Sequence, residues 1–461
     1  MRLLLCSLLL LVQCIGFSQT ANRSLFITDS LDNHIRTQMA EWDIPGVAVA
    51  IIKDGKPVLM KGYGVTEKGG TQPVDEHTLF LIGSNTKAFT ATAIAMLDAQ
   101  KKLSLNDPVT KWMPEFKLRD EWVTKNIIVK DLLCHRLGFE TFQGDFTYWT
   151  SNLTRKQIIA KMQKVKPLYG FRDKWGYCNA AFLTAGEIIP RVTGRSWEDF
   201  MRDSIFKPLG MNRTLALSVE MNKAANVAIP HSMNHSFEVV PFPHANIDNL
   251  APAGSIGSTV HDMGRWAAAL LNGGKADGKT IIPAQAINNT RIPQSVLGRR
   301  GMYRSKSHYS LYGLGWFLGE YAGREIVSHT GGVNGFVTSL TLVPEEKLAV
   351  IVLTNTDHNE LYSSLNNELL DAMLQLPYTA QSQMMLKAKK NNVEQEKNWL
   401  KLLTDSIEAK QPQLIPFSNY AGTYSNELYG NITIVFKNNH LNIHFQNHPN
   451  MTAELDWLGN H

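Results

Sequence analysis

The sequence has no strong excess of either charge and no run of basic residues interleaved with aromatic ones. Among 461 residues, 46 Lys and Arg stand against 41 Asp and Glu, a formal net charge of +5. This small charge argues against nucleic acid as a partner. The densest basic stretch, KAKK at Lys387–Lys390, is typical of a solvated helix face. Apolar residues make up 44% and charged residues 19%, which indicates a folded globular protein.

Long hydrophobic runs are lacking beyond the N-terminus, so no transmembrane segment is predicted. The first residues, MRLLLCSLLLLVQCIGFSQ, combine one basic residue, a short apolar stretch and small residues at Gly16 and Ser18. This pattern predicts a secretory signal peptide over residues 1–18, with a buried or anchoring helix as the alternative. We therefore expect an exported protein, periplasmic or secreted. A lipid on Cys14 is disfavoured because Gln13 stands where lipidation needs a small residue.

Cysteine is scarce, with four residues in the chain. Cys6 and Cys14 would leave with the signal peptide, so Cys134 and Cys178 would remain in an oxidising compartment. The separation of Cys134 and Cys178 along the sequence does not give the distance between them in the folded protein. It therefore leaves open whether these two residues form a disulfide or stay as buried free thiols.

Segments that favour β-structure stand at both ends of residues 25–378, with a helix-rich stretch between them. The spacing of apolar residues in SLDNHIRTQMAEW predicts a first helix, and a hairpin follows around Asp54-Gly55. Strand patterns return at YGLGWFLG, REIVSH, FVTSLTLVP and KLAVIVLTN, before a last helix over about 360–376. We therefore predict an α/β domain whose sheet joins distant parts of the chain, plus a helical subdomain.

The C-terminal part of the chain differs in composition. Residues 379–412 are polar and predict a helical linker. Residues 413–461 contain NYAGTYSNELYGNITIVFKNNHLNIHF, which predicts short strands joined by turns and hence a small β domain. Its abrupt end at His461 leads us to expect an incomplete domain.

The sequence contains two Ser-x-x-Lys pairs, Ser84…Lys87 and Ser204…Lys207. Roughly one or two such pairs are expected by chance in a chain of this length. Lys207 is followed by Pro-Leu-Gly, which ends a helix, so we interpret that pair as structural. Ser84 instead begins the long apolar helical pattern of GSNTKAFTATAIAML.

A serine at the start of a helix and a lysine one turn later lie side by side. The helix N-terminus offers unpaired N–H groups to an oxyanion and disfavours a charged lysine, which favours Lys87 as a general base. The alternative is that Ser84 is an N-cap and Lys87 faces solvent. These two residues alone do not decide between the interpretations.

Two further segments contain residue types that a serine nucleophile needs around it. WGYCNAAF contains Tyr177 and Asn179, and SHTGG contains His329, Thr330 and paired glycines at the end of a predicted strand. In isolation each has a structural interpretation: a half-buried aromatic residue, a polar strand end and a turn.

The motifs SNTK, YCN and HTG resemble, in type and order, the signature of the serine β-lactamase and DD-peptidase superfamily, on its class C-like side. Tyr424-Ser425-Asn426 also matches the middle motif, but it follows HTG and is discarded. Segments such as IPGVAVAIIKDGKPVLMKGYG, IIVKDLLCHRLGF and LAPAGSIGSTVHDMGRW extend the resemblance over about residues 30–375. It implies an antiparallel sheet flanked by helices, and for His135 only a structural role.

The resemblance implies a catalytic role for three residues. Ser84 would attack a carbonyl carbon and become acylated, Lys87 would help to deprotonate it, and Tyr177 would carry the proton to the leaving group. The backbone N–H groups of Ser84 and Gly332 would form the oxyanion hole. The implied reaction is two-step acyl transfer with no metal and no cofactor.

Five residues are implied to bind substrate: Asn179, His329, Thr330, Gly331 and Gly332. Asn179 would also hold the catalytic lysine. The HTG motif departs from the KTG that class C β-lactamases typically have. Because a histidine is mostly neutral at pH 7, it would attract a substrate carboxylate less than a lysine would.

We therefore expect an exported serine hydrolase that acts on a small molecule or peptide and is most similar to DD-peptidases, D-amino-acid peptidases or penicillin-binding enzymes. A class C-like β-lactamase, an esterase and a non-catalytic ligand-binding relative are the alternatives, and the oligomeric state is left open. Residues 413–461 resemble the lipocalin-like domain appended to some exported members. We expect this unit to shape the active-site entrance through NELYGN.

Overall fold

The computed structural model describes residues 26–299, 307–412 and 414–459. They form an eight-stranded antiparallel sheet with helices on both faces and a separate four-stranded antiparallel sheet near the C-terminus. This is the predicted fold class. The predicted signal peptide at residues 1–18 lies outside the described residues.

The large sheet joins distant parts of the chain, as predicted. Its strands are β1 (Gly46–Lys53), β2 (Lys56–Gly64), β3 (Ser295–Arg299), β4 (Tyr309–Tyr312), β5 (Phe317–Tyr321), β6 (Arg324–Val333), β7 (Phe336–Val343) and β8 (Leu348–Thr354). Their order across the sheet is β2-β1-β8-β7-β6-β5-β4-β3. The first hairpin therefore pairs with the last strand, with Val49 opposite Val352.

The helices form a thin layer on one face of the sheet and a thick layer on the other. They are α1 (Leu31–Trp42), α2 (Thr86–Ala99), α3 (Val109–Trp112), α4 (Glu121–Asn126), α5 (Val129–Leu132), α6 (Arg155–Lys161), α7 (Asn179–Thr193), α8 (Trp197–Met201), α9 (Lys207–Leu209), α10 (Ala251–Gly254), α11 (Val260–Leu271), α12 (Ala284–Arg291), α13 (Leu361–Met373) and α14 (Gln381–Glu408). Short ribbons pair Phe80–Leu81 with Gly257–Ser258, His231–Met233 with Val239–Pro241, and Lys275–Ala276 with Lys279–Thr280.

Successive side chains of the central strands point to opposite faces of the sheet, so each strand contributes to the hydrophobic core on both faces. In β1, Val49 and Ile51 pack with α1 and α13, whereas Ala50 and Ile52 enter the thick layer that contains α2 and α11. Burying one Val or Ile side chain stabilises the fold by about 1.5–3 kcal/mol. The sheet is therefore held from both sides.

Local predictions at the N-terminal end are confirmed. Helix α1 covers the predicted segment and buries its apolar residues. The predicted hairpin turn has Asp54 and Gly55 at φ of 52° and 77°, the left-handed pair that matches the twist of two antiparallel strands.

The interpretation of YGLGWFLG as one strand is wrong. The chain ends β4 at Tyr312, turns, and begins β5 at Phe317. Gly315 makes the turn with φ of +73°, and a Cβ there would lie 2.6 Å from the Lys87 carbonyl oxygen. Two strands result because this glycine lets the turn press against α2.

Cys134 and Cys178 are both free and buried. The structure therefore has two buried thiols rather than a disulfide. None of the described helices combines the length and the apolar character that a membrane-spanning helix needs.

Helix α14 leads from the large sheet to the C-terminal one. Its buried residues are Ser382 and Leu386. The strands that follow are β9 (Gly422–Asn426), β10 (Gly430–Lys437), β11 (His440–Phe445) and β12 (His448–Leu455), paired in chain order. The domain boundaries at 378 and 412 stay predictions.

Candidate active site

Ser84 lies in one 3-10 turn, Gly83–Asn85, immediately before α2. Gly83 has φ of +53°, and a Cβ there would lie 2.8 Å from the backbone nitrogen of Gly332, so a larger residue would displace one of the two segments. The Asn85 side chain donates to Thr338 Oγ1 at 2.9 Å. The turn is thereby held against β6 and β7, and Ser84 lines a cavity.

Lys87 is fully buried in the first turn of α2. Its Nζ donates to Ser84 Oγ at 2.9 Å and to the Ala253 carbonyl at 2.8 Å. The N-cap of α2 is Asn85, so the interpretation of Ser84 as a cap with a solvent-facing Lys87 is wrong. Burial lowers the pKa of Lys87 to about 7, although the Asp145 carboxylate raises it. A large fraction of Lys87 is therefore the neutral amine that accepts a proton.

Tyr177 lies just before α7 and lines the same cavity as Ser84, and burial raises the pKa of its phenol. Its ring centroid is 4.8 Å from Lys87 Nζ. The ring of His135 stacks on it at 4.1 Å, and His135 Nδ1 accepts from the Cys178 backbone N–H at 3.0 Å. Because burial lowers the pKa of His135 well below its usual value, this neutral ring supports Tyr177 from behind.

His329 on β6 is buried and uses both ring nitrogens within the protein. Nδ1 lies 2.6 Å from the Thr330 carbonyl oxygen, so this nitrogen has the proton, and Nε2 accepts from the Tyr312 hydroxyl at 3.0 Å. Burial first, and the charge of Lys87 second, lower the pKa of His329 to about 3. The histidine of HTG is therefore neutral and offers no charge to a substrate carboxylate.

The end of β6 forms the rim beside Ser84. A Cβ on Gly331 would lie 1.8 Å from the Ile82 carbonyl oxygen, so the strand runs directly along the Ser84 turn. Thr330 and Gly332 are exposed and line the cavity. The structure thus brings the predicted substrate-binding motif next to the predicted nucleophile.

Asn179 is the first residue of α7. Its Nδ2 donates to Asp145 Oδ2 at 2.9 Å and to the Tyr148 hydroxyl at 2.7 Å. The predicted bond between Asn179 and Lys87 is not formed in the described structure, because these two acceptors take the amide while Lys87 bonds elsewhere. Asn179 lines the cavity, so its predicted contact with substrate stays a prediction.

A cavity of about 520 Å³ opens over Ser84. Asp145 is the acidic residue of its lining, and within the described part of the chain no Lys or Arg side chain lines it. Much of the wall is aromatic, formed by Phe142, Phe146, Tyr148, Trp149, Trp175, Tyr177 and Phe317.

Sequence reasoning missed residues 141–150, TFQGDFTYWT, which form the wall that faces the cavity beside Asn179. This segment contributes Asp145 and four of the aromatic side chains. Its density of aromatic residues around one acidic residue is the signal that marks it. This composition does not show which other part of the chain residues 141–150 contact.

The C-terminal sheet contacts this wall through Phe146. The Phe146 ring stacks on His448 at 4.0 Å, and its carbonyl oxygen accepts from His448 Nε2 at 2.8 Å. Within NELYGN, the Tyr429 ring lies 5.9 Å from Phe146, and the Leu428 carbonyl accepts from Lys161. The expected influence of this unit on the entrance therefore has a physical route, mainly through His448.

The two matching motifs that were set aside, Ser204…Lys207 and Tyr424-Ser425-Asn426, do not line the cavity. Lys207 pairs with Asp203 at 2.7 Å on the surface, beside Ser204. Tyr424 lies on β9, where its hydroxyl donates to the Tyr420 carbonyl.

The family model described as Beta-lactamase matches residues 31–413. This chain belongs to the Beta-lactamase family. The relative named Unguisins hydrolase ungD' of Aspergillus campestris is 29% identical over 422 residues, 87% of this chain and 76% of the relative. This protein is a β-lactamase-related serine hydrolase.

Solved structures share its fold at low identity. The octameric penicillin-binding protein homologue from Pyrococcus abyssi superposes with a TM-score of 0.65 at 23% identity, over 93% of this chain and 90% of that one. A D-stereospecific amidohydrolase from Streptomyces sp. superposes with a TM-score of 0.56 at 23% identity, over 70% and 94%.

In this β-lactamase-related hydrolase the predicted serine, lysine and tyrosine lie together at the cavity. In the residues that the structure describes, no three His, Cys, Asp or Glu side chains are grouped so as to hold a metal ion.

Proposed function

We propose that this protein is an exported serine hydrolase that cleaves amide or ester bonds through an acyl-enzyme on Ser84, in the manner of DD-peptidases and D-amino-acid peptidases. The observation that supports it most directly is the 2.9 Å bond between Lys87 Nζ and Ser84 Oγ in a fully buried position. Burial there lowers the pKa of Lys87 to about 7. A neutral lysine accepts the Ser84 proton, which a charged lysine does not.

In acylation, Ser84 Oγ forms a bond to the substrate carbonyl carbon while its proton passes to Lys87. Tyr177, which lines the cavity with Ser84, carries this proton to the leaving amine or alcohol as the bond from that group to the carbonyl carbon breaks. The backbone N–H groups of Ser84 and Gly332 are the proposed oxyanion donors. Water then attacks the carbonyl carbon of the ester and gives a proton to the same pair of side chains. That proton passes to Ser84 Oγ as its bond to the carbonyl carbon breaks, which restores the hydroxyl.

Two features favour a peptidase or amidase over an efficient β-lactamase. His329 is neutral with both ring nitrogens engaged, and no Lys or Arg side chain of the described residues lines the cavity to bind a carboxylate such as that of a β-lactam. The similarity to an Unguisins hydrolase and to a D-stereospecific amidohydrolase also suggests amide substrates. The substrate is a small molecule or a short peptide.

The proposal of export rests on the composition of residues 1–18. Cleavage after Ser18 would leave Gln19 as the first residue of the mature protein. N-terminal sequencing of protein collected outside the cytoplasm checks this, and an intact residue 1 there would contradict it.

Intact-protein mass spectrometry with benzylpenicillin and with an activated phenyl ester tests the enzyme proposal. We expect an adduct of the full mass of benzylpenicillin, or turnover of the ester, with the wild type and with Ser204→Ala. Neither should occur with Ser84→Ala, because the Oγ that forms the bond is missing. Ser204 is the matched control because it also has a lysine three residues later.

The lifetime of the adduct separates the alternatives. A persistent adduct supports a DD-peptidase-like enzyme with slow deacylation, whereas a short-lived adduct with accumulating hydrolysed penicillin identifies a β-lactamase. Ester turnover without an adduct indicates an esterase or a D-amino-acid peptidase. No adduct and no turnover with either probe would contradict the proposal and identify a non-catalytic binding protein.

A further inference from the structure

The charged side chains that line the cavity are acidic among the described residues. Asp145 is the acidic side chain of the lining, and no lysine or arginine of the described residues lines the cavity. His329, which also lines it, is neutral because burial lowers its pKa to about 3. Lys87 is close but fully buried. Among the described residues, a substrate therefore meets a carboxylate and no exposed cation.

Asp145 has hydrogen-bonding capacity left for a substrate. It begins the 3-10 turn Asp145–Thr147, where Asn179 Nδ2 donates to its Oδ2 at 2.9 Å and the Tyr148 phenol lies close enough to lower its pKa. An ionised carboxylate offers about four acceptor positions. The Asn179 donor and the neighbouring Tyr148 phenol therefore leave room for a donor from the cavity.

The state that can react leaves Asp145 without a cationic partner. Lys87 is the cation that lowers the pKa of Asp145, yet Lys87 must be neutral to accept the Ser84 proton. Burial raises the pKa of Asp145 to about 6 even with the Lys87 charge nearby. When Lys87 is neutral, another cation beside Asp145 is needed to favour the ionised carboxylate. A positive group on the substrate would supply the missing charge.

The surroundings of Asp145 suit an amino acid rather than a bare cation. Phe142, Phe146, Tyr148 and Trp149 belong to the same segment and line the same cavity. Aromatic faces attract cations and bury apolar side chains. The site therefore has a place for an ammonium group beside an apolar or aromatic side chain.

We propose that Asp145 binds the free α-ammonium group of the acyl donor, so that the enzyme prefers N-terminally unblocked aminoacyl amides, esters and peptides. This inference rests on the proposed function and names its substrate class. Ser84 Oγ bonds to the carbonyl carbon of the first residue, the bond to the leaving amine breaks, and that amine takes the Ser84 proton. Water then hydrolyses the ester and releases the first residue as a free amino acid.

Matched substrates test the proposal on the full chain. We expect the wild type to hydrolyse D-phenylalanine p-nitroanilide with a kcat/KM at least about 10-fold above that for its N-acetyl derivative, because a charge-assisted hydrogen bond is lost on acetylation. Asp145→Asn should lower kcat/KM for the free amine about 10- to 100-fold, mainly through KM, and for the N-acetyl substrate less than about 3-fold. Asp405→Asn, an exposed carboxylate on α14, is the control.

The pH dependence of wild type gives a second readout that needs no variant. The ratio of kcat/KM for free over acetylated substrate should be highest between about pH 6 and 8, where Asp145 is ionised and an α-amino group is protonated. Ionisation of Lys87 affects both substrates and cancels in the ratio. The other titratable groups around Asp145 are Tyr148 of its own segment, Tyr177 and Cys178 ahead of α7, His329 of β6, and His448 of the C-terminal sheet.

Three results would overturn the inference. They are a wild type that prefers the acetylated substrate, a pH-independent ratio, and an equal loss for both substrates in Asp145→Asn, which would make Asp145 a positioning residue for Asn179. Each of these leaves the acyl-enzyme intact. Failure of the proposed function differs, because then neither anilide, nor benzylpenicillin, nor an activated ester would react at Ser84.

Discussion

The two walls of the cavity are built in different ways. The catalytic wall is part of the core, since the Ser84 turn packs against β6 and β7 and Lys87 is fully buried in α2. The second wall, residues 141–150, contains one short 3-10 turn. It is supported by the Tyr177 carbonyl, which accepts from the Phe142 N–H at 2.9 Å, and by the C-terminal sheet through Phe146 and His448.

This difference separates chemistry from selection. Any shift of the Ser84 turn disturbs the large sheet, so the reacting groups are held as firmly as the fold itself. The exposed side chains of residues 141–150, such as Phe142 and Trp149, can change with less effect on the core, as expected of binding segments placed on a rigid scaffold. Variants of the two walls should therefore differ in kcat and KM.

The largest effect is expected on the catalytic wall. Ser84→Ala should lower kcat/KM for an activated ester by about 10⁴- to 10⁶-fold, because the nucleophile is missing. Its melting temperature should stay within about 2 °C of wild type, since the substitution removes one hydroxyl group that faces the cavity. Steady-state kinetics and thermal denaturation check both values. Residual acylation in this variant at more than about 1% of the wild-type rate would point to another nucleophile.

The pH profile tests how the two walls interact. For an uncharged ester, kcat/KM should rise with pH up to about 7, as Lys87 loses its proton, and then level off. The Asp145 carboxylate raises the pKa of Lys87. Asp145→Asn should therefore move the rising limb to lower pH. If the rising limb stays in place or moves to higher pH in this variant, the ionisation that controls the rate does not belong to Lys87.

A smaller effect is expected from the support of the substrate wall. His448→Ala removes the ring stacked on Phe146 and the bond to its carbonyl. We expect KM to rise about 3- to 10-fold with kcat within about 2-fold, because the catalytic wall does not depend on this contact. His440→Ala is the matched control, since His440 is exposed and pairs with Glu454 within the same sheet. A fall in kcat with unchanged KM would contradict the separation of the two walls.

The smallest effect concerns the thiols. Burial raises the pKa of Cys134 and Cys178 to about 12, so little thiolate exists at neutral pH. Iodoacetamide should leave both unmodified in the native protein and modify both after denaturation, and a reducing agent should not change activity. Peptide mass spectrometry measures the modification. A Cys134–Cys178 disulfide in the mature protein would contradict the structure.

Sequence patterns predicted the parts that depend on neighbours in the chain. The period of apolar residues in α1, the Asp54-Gly55 turn and the one-turn spacing of Ser84 and Lys87 follow from backbone geometry alone. The order of SNTK, YCN and HTG added the family, and the position of strand patterns at both ends of residues 25–378 predicted a sheet that joins distant strands. The interpretation of YGLGWFLG failed where a turn had to fit against α2.

The sequence by itself determined the fold family and identified the residues proposed to react, because both depend on local spacing and on motif order. Only the tertiary structure decided that Lys87 is dry enough to be neutral and that Asn179 bonds Asp145. It also decided that His448 supports Phe146 across the cavity wall. These facts join residues that are far apart in the chain, and burial and contact are properties of the packed molecule rather than of any segment.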